Sequence, residues 1–341
     1  MSTDKSIKLT SAEIATLWSA YMNDTMAHCI LEYFYVHAKD REIRPLVGYA
    51  RTLTKTHIEK ITLIFKDEGL LIPNGFAIEN DVNLNAPRLY TDEFMLTFLD
   101  LMSKSGLIAY GGFISMVSRK DIRAYLIEQL HETTKLFDAC TDAALLKGLY
   151  VKAPYIAYPT RNDFVDNKSY LSGFSFFNKE RPLNAIEISY LFMNIKTNVL
   201  GTKLAISFAQ TSPRQDVQKW MLRGSDIAKK HIEIFSKKLL DNNLQSPMSS
   251  DVSITNETTP PFSDKLTLFL MTFLSASGVG NYSTAAAASQ RNDLVLIYER
   301  LSLEIGQYAK DGADIMIKNK WLEEPPGTID KDKLSKSKDP E

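Results

Sequence analysis

The sequence predicts an all-α protein built from two four-helix bundles in tandem. Three observations carry that reading: the chain repeats itself at a nearly constant offset, apolar residues recur at three- and four-residue steps, and the strict alternation that marks strands is nearly absent. At 341 residues the chain exceeds an ordinary single domain, and its 44% hydrophobic content can fill two cores.

The repeat begins with His-Ile-Glu at 57–59, which recurs at 231–233, an offset of 174. The same offset carries Thr10 and Glu13 to Asn184 and Glu187, Leu17-Trp18 to Leu191-Phe192, Phe34 to Phe208 and Pro73 to Pro247. Past one small indel the offset becomes 172, and Tyr90, Gly106, Tyr110, Arg119, Asp121 and Glu132 meet Phe262, Gly278, Tyr282, Arg291, Asp293 and Glu304. The matched positions include those that set helix geometry. Thr10-x-x-Glu13 and Asn184-x-x-Glu187 each place a capping side chain three residues before a carboxylate, the spacing that satisfies the free amides of a helix start. Thr91-Asp92 and Ser263-Asp264 repeat the signal for a later helix, after the Pro87 and Pro260-Pro261 segments.

In the first copy, Leu17, Tyr21, Asp24, His28 and Leu31 share one face of a helix over 11–38. Pro45 suits the first turn of a second helix, whose inward stripe of Leu53, His57, Ile61 and Ile64 runs to about 67, where Gly69 ends it. From Leu70 to Tyr90 the residues Pro73, Gly75, Asn80, Asn85 and Pro87 mark a long crossing. A third helix follows from about 92 to 117, with a bend expected near Ser105-Gly106, and a fourth from about 119 to 147 carries Ile122, Leu126, Leu130, Phe137 and Cys140. Two short turns and one long crossing are the connectivity of the ferritin-like four-helix bundle. The expected division is therefore a ferritin-like bundle over 10–150, a linker over 151–182, a second ferritin-like bundle over 183–322 and a polar tail over 323–341, disordered at its end. Aromatics in and beside the linker, Tyr150, Tyr155, Tyr158, Phe164, Tyr170, Phe174, Phe176 and Phe177, are expected to pack on the bundles, because leaving them in water is costly.

Forty Lys and Arg stand against 41 Asp and Glu, so the net charge of −1 offers no field for nucleic acid or an acidic membrane. The polar stretch Met1–Thr10 lacks the apolar run of a secretory signal, and the longest apolar stretch, Leu266–Leu274, is far short of a membrane span; a cytoplasmic location is the expectation. Cys29 and Cys140 have no counterparts in the other copy and read as small buried apolar residues. Gly111-Gly112 lies within a helical pattern and is no phosphate loop, and no pattern of nucleophile and base is legible, so a non-enzymatic role is expected.

The strings EIRPLVGYA, NAPRLYTDEF, GLIAYGGFIS, KGLYVKAPYI, RPLNAIEISYLF, RGSDIAKKHIEIF, TPPFSDKL and DGADIMIKN resemble an uncharacterised family of Bacillus-type proteins known as domain of unknown function 3231. The resemblance spans about residues 10–325. It implies a ferritin-like fold, a spore-forming bacterial source and a distant architectural similarity to the coat F spore proteins, hence a spore-associated location as an alternative and a protein partner, either a second copy or a spore component. It carries no residue role.

A ferritin-like bundle raises the question of paired iron, which needs a Glu from each of two helices and Glu-x-x-His from each of the other two. In the first copy the fourth helix supplies Glu128-x-x-His131, but Thr54 stands where the second helix would need its Glu before His57. Asp24, His28, His57, Glu128, His131 and Glu132 make at best a partial site for a single Fe, Mn or Zn ion. In the second copy Asp24, His28, Glu128 and His131 become Asn198, Thr202, Arg300 and Leu303. What persists is one His and one Glu, His57 with Glu132 and His231 with Glu304; these read as a repeated polar core that fixes helix register, with no cofactor expected.

Overall fold

A computed structural model of the chain describes residues 7–173, 180–247, 253–328 and 330–331. Its first half comprises α1 (Ser11–His37), α2 (Ile43–Asp67), the single turn α3 (Ile78–Asp81), α4 (Asp92–Met116) and α5 (Lys120–Leu146). The second comprises α6 (Ala185–Thr211), α7 (Gln215–Leu240), α8 (Asp264–Ala288) and α9 (Asn292–Lys318). No strand occurs among the described residues, only two isolated bridges. The architecture is all-α and duplicated, as the periodicity predicts. α4 is helical through Ser105 and Gly106, and Gly106 makes room for Thr133, whose methyl would lie 3.0 Å from an added Cβ.

The predicted caps form. The Glu13 carboxylate accepts from Thr10 N at 2.7 Å, and that of Glu187 accepts from Asn184 N at 3.0 Å. Both glutamates are buried, and each reaches across to a second helix start: Glu13 accepts from Ser118 N and Arg119 N ahead of α5, and Glu187 from Gln290 N and Arg291 N ahead of α9. One carboxylate thus satisfies free amides on two helices. Burial pushes the Glu13 pKa up, but the hydrogen bonds from Thr10, Arg119 and Ser118 outweigh it and hold the carboxyl down at about 2. Helix ends repeat as well. Gly69 and Gly148 close α2 and α5 with φ of +68° and +67°, and their counterparts Asn243 and Lys320 close α7 and α9 with φ of +59° and +57°.

The halves meet through their crossings, and they do so reciprocally. Val82 bridges Phe262 while Tyr90 bridges Ile254, and the 172 offset turns each pair into the other. Asn83 N donates to Pro261 O while Thr255 N donates to Leu89 O; Thr91 N donates to Ser253 O while Ser263 N donates to Asp81 O. Each pair again maps onto its mate. This exchange is the signature of an isologous contact, so the two halves are arranged like the subunits of a two-fold dimer. Phe34, Tyr90, Phe94, Leu200, Phe208 and Phe262 belong to one buried cluster that runs across the contact. At its centre Tyr33 and Phe262 meet edge to face at 5.2 Å, and Tyr90 OH pairs with Ser207 Oγ at 2.8 Å.

The linker corrects one expectation. Tyr150 packs on the core beneath the Lys196 ammonium, and the Arg181 guanidinium covers Tyr170. Tyr155, Tyr158 and Phe164, however, are 84%, 91% and 93% exposed. The helices already cover both cores, so hydrophobicity alone finds these three rings no apolar face. Phe174, Phe176 and Phe177 lie outside the described residues. At the start of the predicted tail, the Glu323 carboxylate accepts from Asn74 N at 2.8 Å and from Gly75 N at 3.2 Å, which ties it to the first half; most of the segment expected to be disordered lies outside the described residues.

Candidate functional site

Each bundle has a buried imidazole at its centre. In the first, α2 brings His57 inward between α1 and α5, leaving it 3% exposed. Its Nε2 lies 3.2 Å from Glu132 Oε2 and its Nδ1 3.4 Å from Asp24 Oδ1, with the Tyr110 hydroxyl of α4 at 3.5 Å from the same nitrogen. In the second, His231 Nε2 lies 3.1 Å from Glu304 Oε2 and Nδ1 lies 3.0 Å from the Tyr282 hydroxyl, which accepts in turn from Asn198 Nδ2 at 2.7 Å. Both ring nitrogens of each histidine are therefore engaged, as burial requires.

Three aligned differences separate the two sites electrostatically: Asp24 against Asn198, Thr56 against Lys230 and Glu128 against Arg300. Burial pulls both imidazoles toward the neutral form, but in the first half the charge and hydrogen bond of Asp24, joined by those of Glu132, more than offset it, and the His57 pKa is raised. In the second half Asn198 replaces Asp24, and Lys230 and Arg300 lie nearby. There burial prevails over Glu304, and the His231 pKa is lowered. Burial pushes the Tyr110 phenol well up, aided by Asp24 and Glu132. Lys230 pairs with Glu304 beside the second imidazole, whereas the aligned end of the first site has no lysine at position 56.

Of the candidates for a metal site, the structure brings together Asp24, His57 and Glu132. It places Glu128 on the outer face, where Lys60 Nζ pairs with it at 2.8 Å, and leaves His131 exposed two positions past the inward Gln129. The Glu128-x-x-His131 spacing sits one step around the helix from the inward stripe Tyr125, Gln129, Thr133 and Leu136. His28 turns its Nδ1 to Thr54 Oγ1 at 3.1 Å and its Nε2 to Glu32 at 3.5 Å. Among the described residues no group of three or more His, Cys, Asp and Glu is disposed around a common metal position. The two cysteines are buried and unbonded, and burial pushes each thiol up to about 12, which suppresses the reactive thiolate. Sequence reasoning did not assign Tyr110 and Tyr282 to these sites, although the repeat aligns them and that alignment was the available signal.

A cavity of about 120 Å³ adjoins the first imidazole, bounded by Leu31, Leu53, Phe98, Leu99, Phe113 and Leu136, with Asp24, His57 and Tyr110 supplying polar atoms. The corresponding space in the second bundle is about 70 Å³. There Tyr308 stands in place of Leu136 and stacks on Trp220 at 4.2 Å, 5° from parallel, while Trp220 takes the place of Leu46. Gly312 admits the indole, since an added Cβ would lie 2.4 Å from it.

A duplicated four-helix-bundle protein, with one doubly held imidazole at the centre of each bundle, is the class these features define. The chain belongs to the family described as "Protein of unknown function (DUF3231)", which matches twice in tandem, over residues 1–161 and 172–334. Among curated proteins none matches. A crystal structure of a "putative spore coat protein" from Bacillus halodurans C-125 is similar at 14% identity and a TM-score of 0.42, covering 45% of this chain and 99% of that one. No described helix is long and apolar enough to cross a membrane.

Proposed function

We propose that this chain is a non-enzymatic interaction protein of a spore-forming bacterium, in which duplicated ferritin-like bundles form a rigid body and the exposed linker meets a protein partner, either a second copy or a spore component. The observation that carries the non-enzymatic part is the engagement of both nitrogens of His57 and His231 by neighbouring side chains. An imidazole held on both sides is a register-fixing core group, and to ligate a metal it would have to give up a carboxylate or phenol partner. The linker aromatics Tyr155, Tyr158 and Phe164 supply the contact chemistry, since exposed aromatic side chains are enriched where proteins meet.

The competing reading is a single Fe, Mn or Zn ion in the first half with His57 among its ligands, for which Asp24 and Glu132 are the carboxylates beside that ring, one at each nitrogen. Elemental analysis of protein purified without chelator separates the two. Substoichiometric metal, unchanged in His57→Ala, is expected; one equivalent that vanishes in that variant would defeat the non-metal reading.

A further inference from the structure

We propose that the cavity beside Asp24 and His57 is a binding site for a small primary amine, a cationic head on a compact apolar body. The inference goes beyond the interaction reading and does not rest on it. Four observations support it.

The cavity is sized for such a ligand. At about 120 Å³ it approaches the engineered cavity of roughly 150 Å³ that accepts benzene. Its walls are side chains of Leu31, Leu53, Phe98, Leu99, Phe113 and Leu136, which favour an apolar body.

Its polar end is acidic and incompletely used. Asp24 is 8% exposed, its Oδ1 faces His57, and its Oδ2 has no hydrogen-bond partner among the described residues. A buried carboxylate oxygen without a donor is costly, and a ligand N–H would satisfy it. Asp24 lines the cavity and Glu132 lies on the far side of the His57 ring, so even with that imidazole protonated the group keeps one net negative charge and a cation suits the site better than a neutral or anionic head.

A way in exists. The half-buried Asn23 and Ala27 on α1 and Ser105 and Ala109 on α4 also line the cavity, which places its mouth between those helices.

The second half serves as an internal comparison. There the acid becomes Asn198, whose amide donates to Asn194 O and to the Tyr282 hydroxyl, and Tyr308 occupies the space that Leu136 leaves open. The carboxylate and the larger void of about 120 Å³ thus occur together in one half, whereas the other has an amide and a space of about 70 Å³.

Calorimetric titration of the full chain with benzylamine, benzyl alcohol and toluene tests the proposal, with [methyl-13C]methionine spectra recorded in parallel. Saturable one-to-one binding of benzylamine is expected, at least about tenfold tighter than of the two neutral analogues. The methyl resonance of Met102, which lines the cavity, should shift while that of Met316, which does not, stays fixed. Asp24→Asn should weaken the amine about tenfold or more without weakening toluene, and the double variant Ala50→Gly/Leu136→Tyr, which carries Gly224 and Tyr308 of the second half into the first, should abolish binding of all three; in the second half a Cβ on Gly224 would lie 2.2 Å from the Tyr308 hydroxyl, so the tyrosine needs that glycine. Far-UV circular dichroism and the melting temperature establish that each variant folds. Equal affinity for amine and toluene, an Asp24→Asn variant that binds the amine unchanged, or an unmoved Met102 resonance in the folded wild type would each overturn the proposal.

Discussion

His57 and His231 occupy equivalent positions yet couple to pH in opposite senses. Because the His57 pKa is raised by its two carboxylates, the folded state holds its proton more tightly than the unfolded chain does. The stabilisation from that site is fully present below the ordinary histidine value of about 6.5 and is lost as pH rises through the folded pKa. His231 has a lowered pKa, so its contribution is present above about 6.5 and is lost as pH falls through its folded value. Asp24 leads the groups that hold the His57 value up, and Asp24→Asn should lower the His57 pKa toward that of its counterpart, where Lys230 and Arg300 add to the effect of burial. A ring 1H–15N titration of the two histidines measures this. A His57 pKa that stays raised in the variant would remove Asp24 as the cause.

At the scale of elements, the helix ends are where sequence and energetics meet most directly. Non-glycine residues in the left-handed region cost about 1–2 kcal/mol, and Lys320 after α9 stands at the position that Gly148 fills after α5. Lys320→Gly should therefore stabilise the chain by about 1 kcal/mol, less the added entropy of the unfolded glycine, and should shift the urea midpoint upward at unchanged slope. A destabilised variant would show that the lysine side chain does more at that cap than its backbone conformation suggests. Helix starts were legible in the sequence because capping chemistry is local: Thr10 with Glu13, Asn184 with Glu187, and Thr91 and Ser263 alone. The stop at Gly69 was equally plain, whereas Gly148, Asn243 and Lys320 emerge as its equivalents from the structure, the last two without the glycine that would mark them. The buried face of α5 was legible in Ile122, Leu126 and Cys140, but the spacing of Glu128 and His131, which matches ligand pairs, does not reveal that Gln129 and Thr133 are the polar residues turned inward. The linker rings were misjudged for a different reason. Hydrophobicity states what a side chain would gain from cover, not whether an uncovered apolar face remains to provide it.

At the scale of the molecule, the reciprocal pairing of the crossings and the buried cluster through Phe34, Tyr90, Phe208 and Phe262 join the halves into one cooperative body. A single calorimetric unfolding transition is expected, with equal calorimetric and van't Hoff enthalpies. Two separable transitions would mean that each bundle is stable without the other. The duplication was plain from the sequence, whereas this contact was not, because its hydrogen bonds run between backbone atoms that carry no residue-specific signal.

The reciprocal contact has a consequence for how such a protein can diversify. In an association of identical chains, every amino-acid change is copied into both partners, so an acid placed in one interior appears in the other. Tandem fusion removes that constraint: Trp220 and Tyr308 can narrow one interior while Leu46 and Leu136 stand in its wider twin, with the shared seam intact. The polypeptide thus keeps the geometry of a symmetric pair while allowing its members to specialise separately.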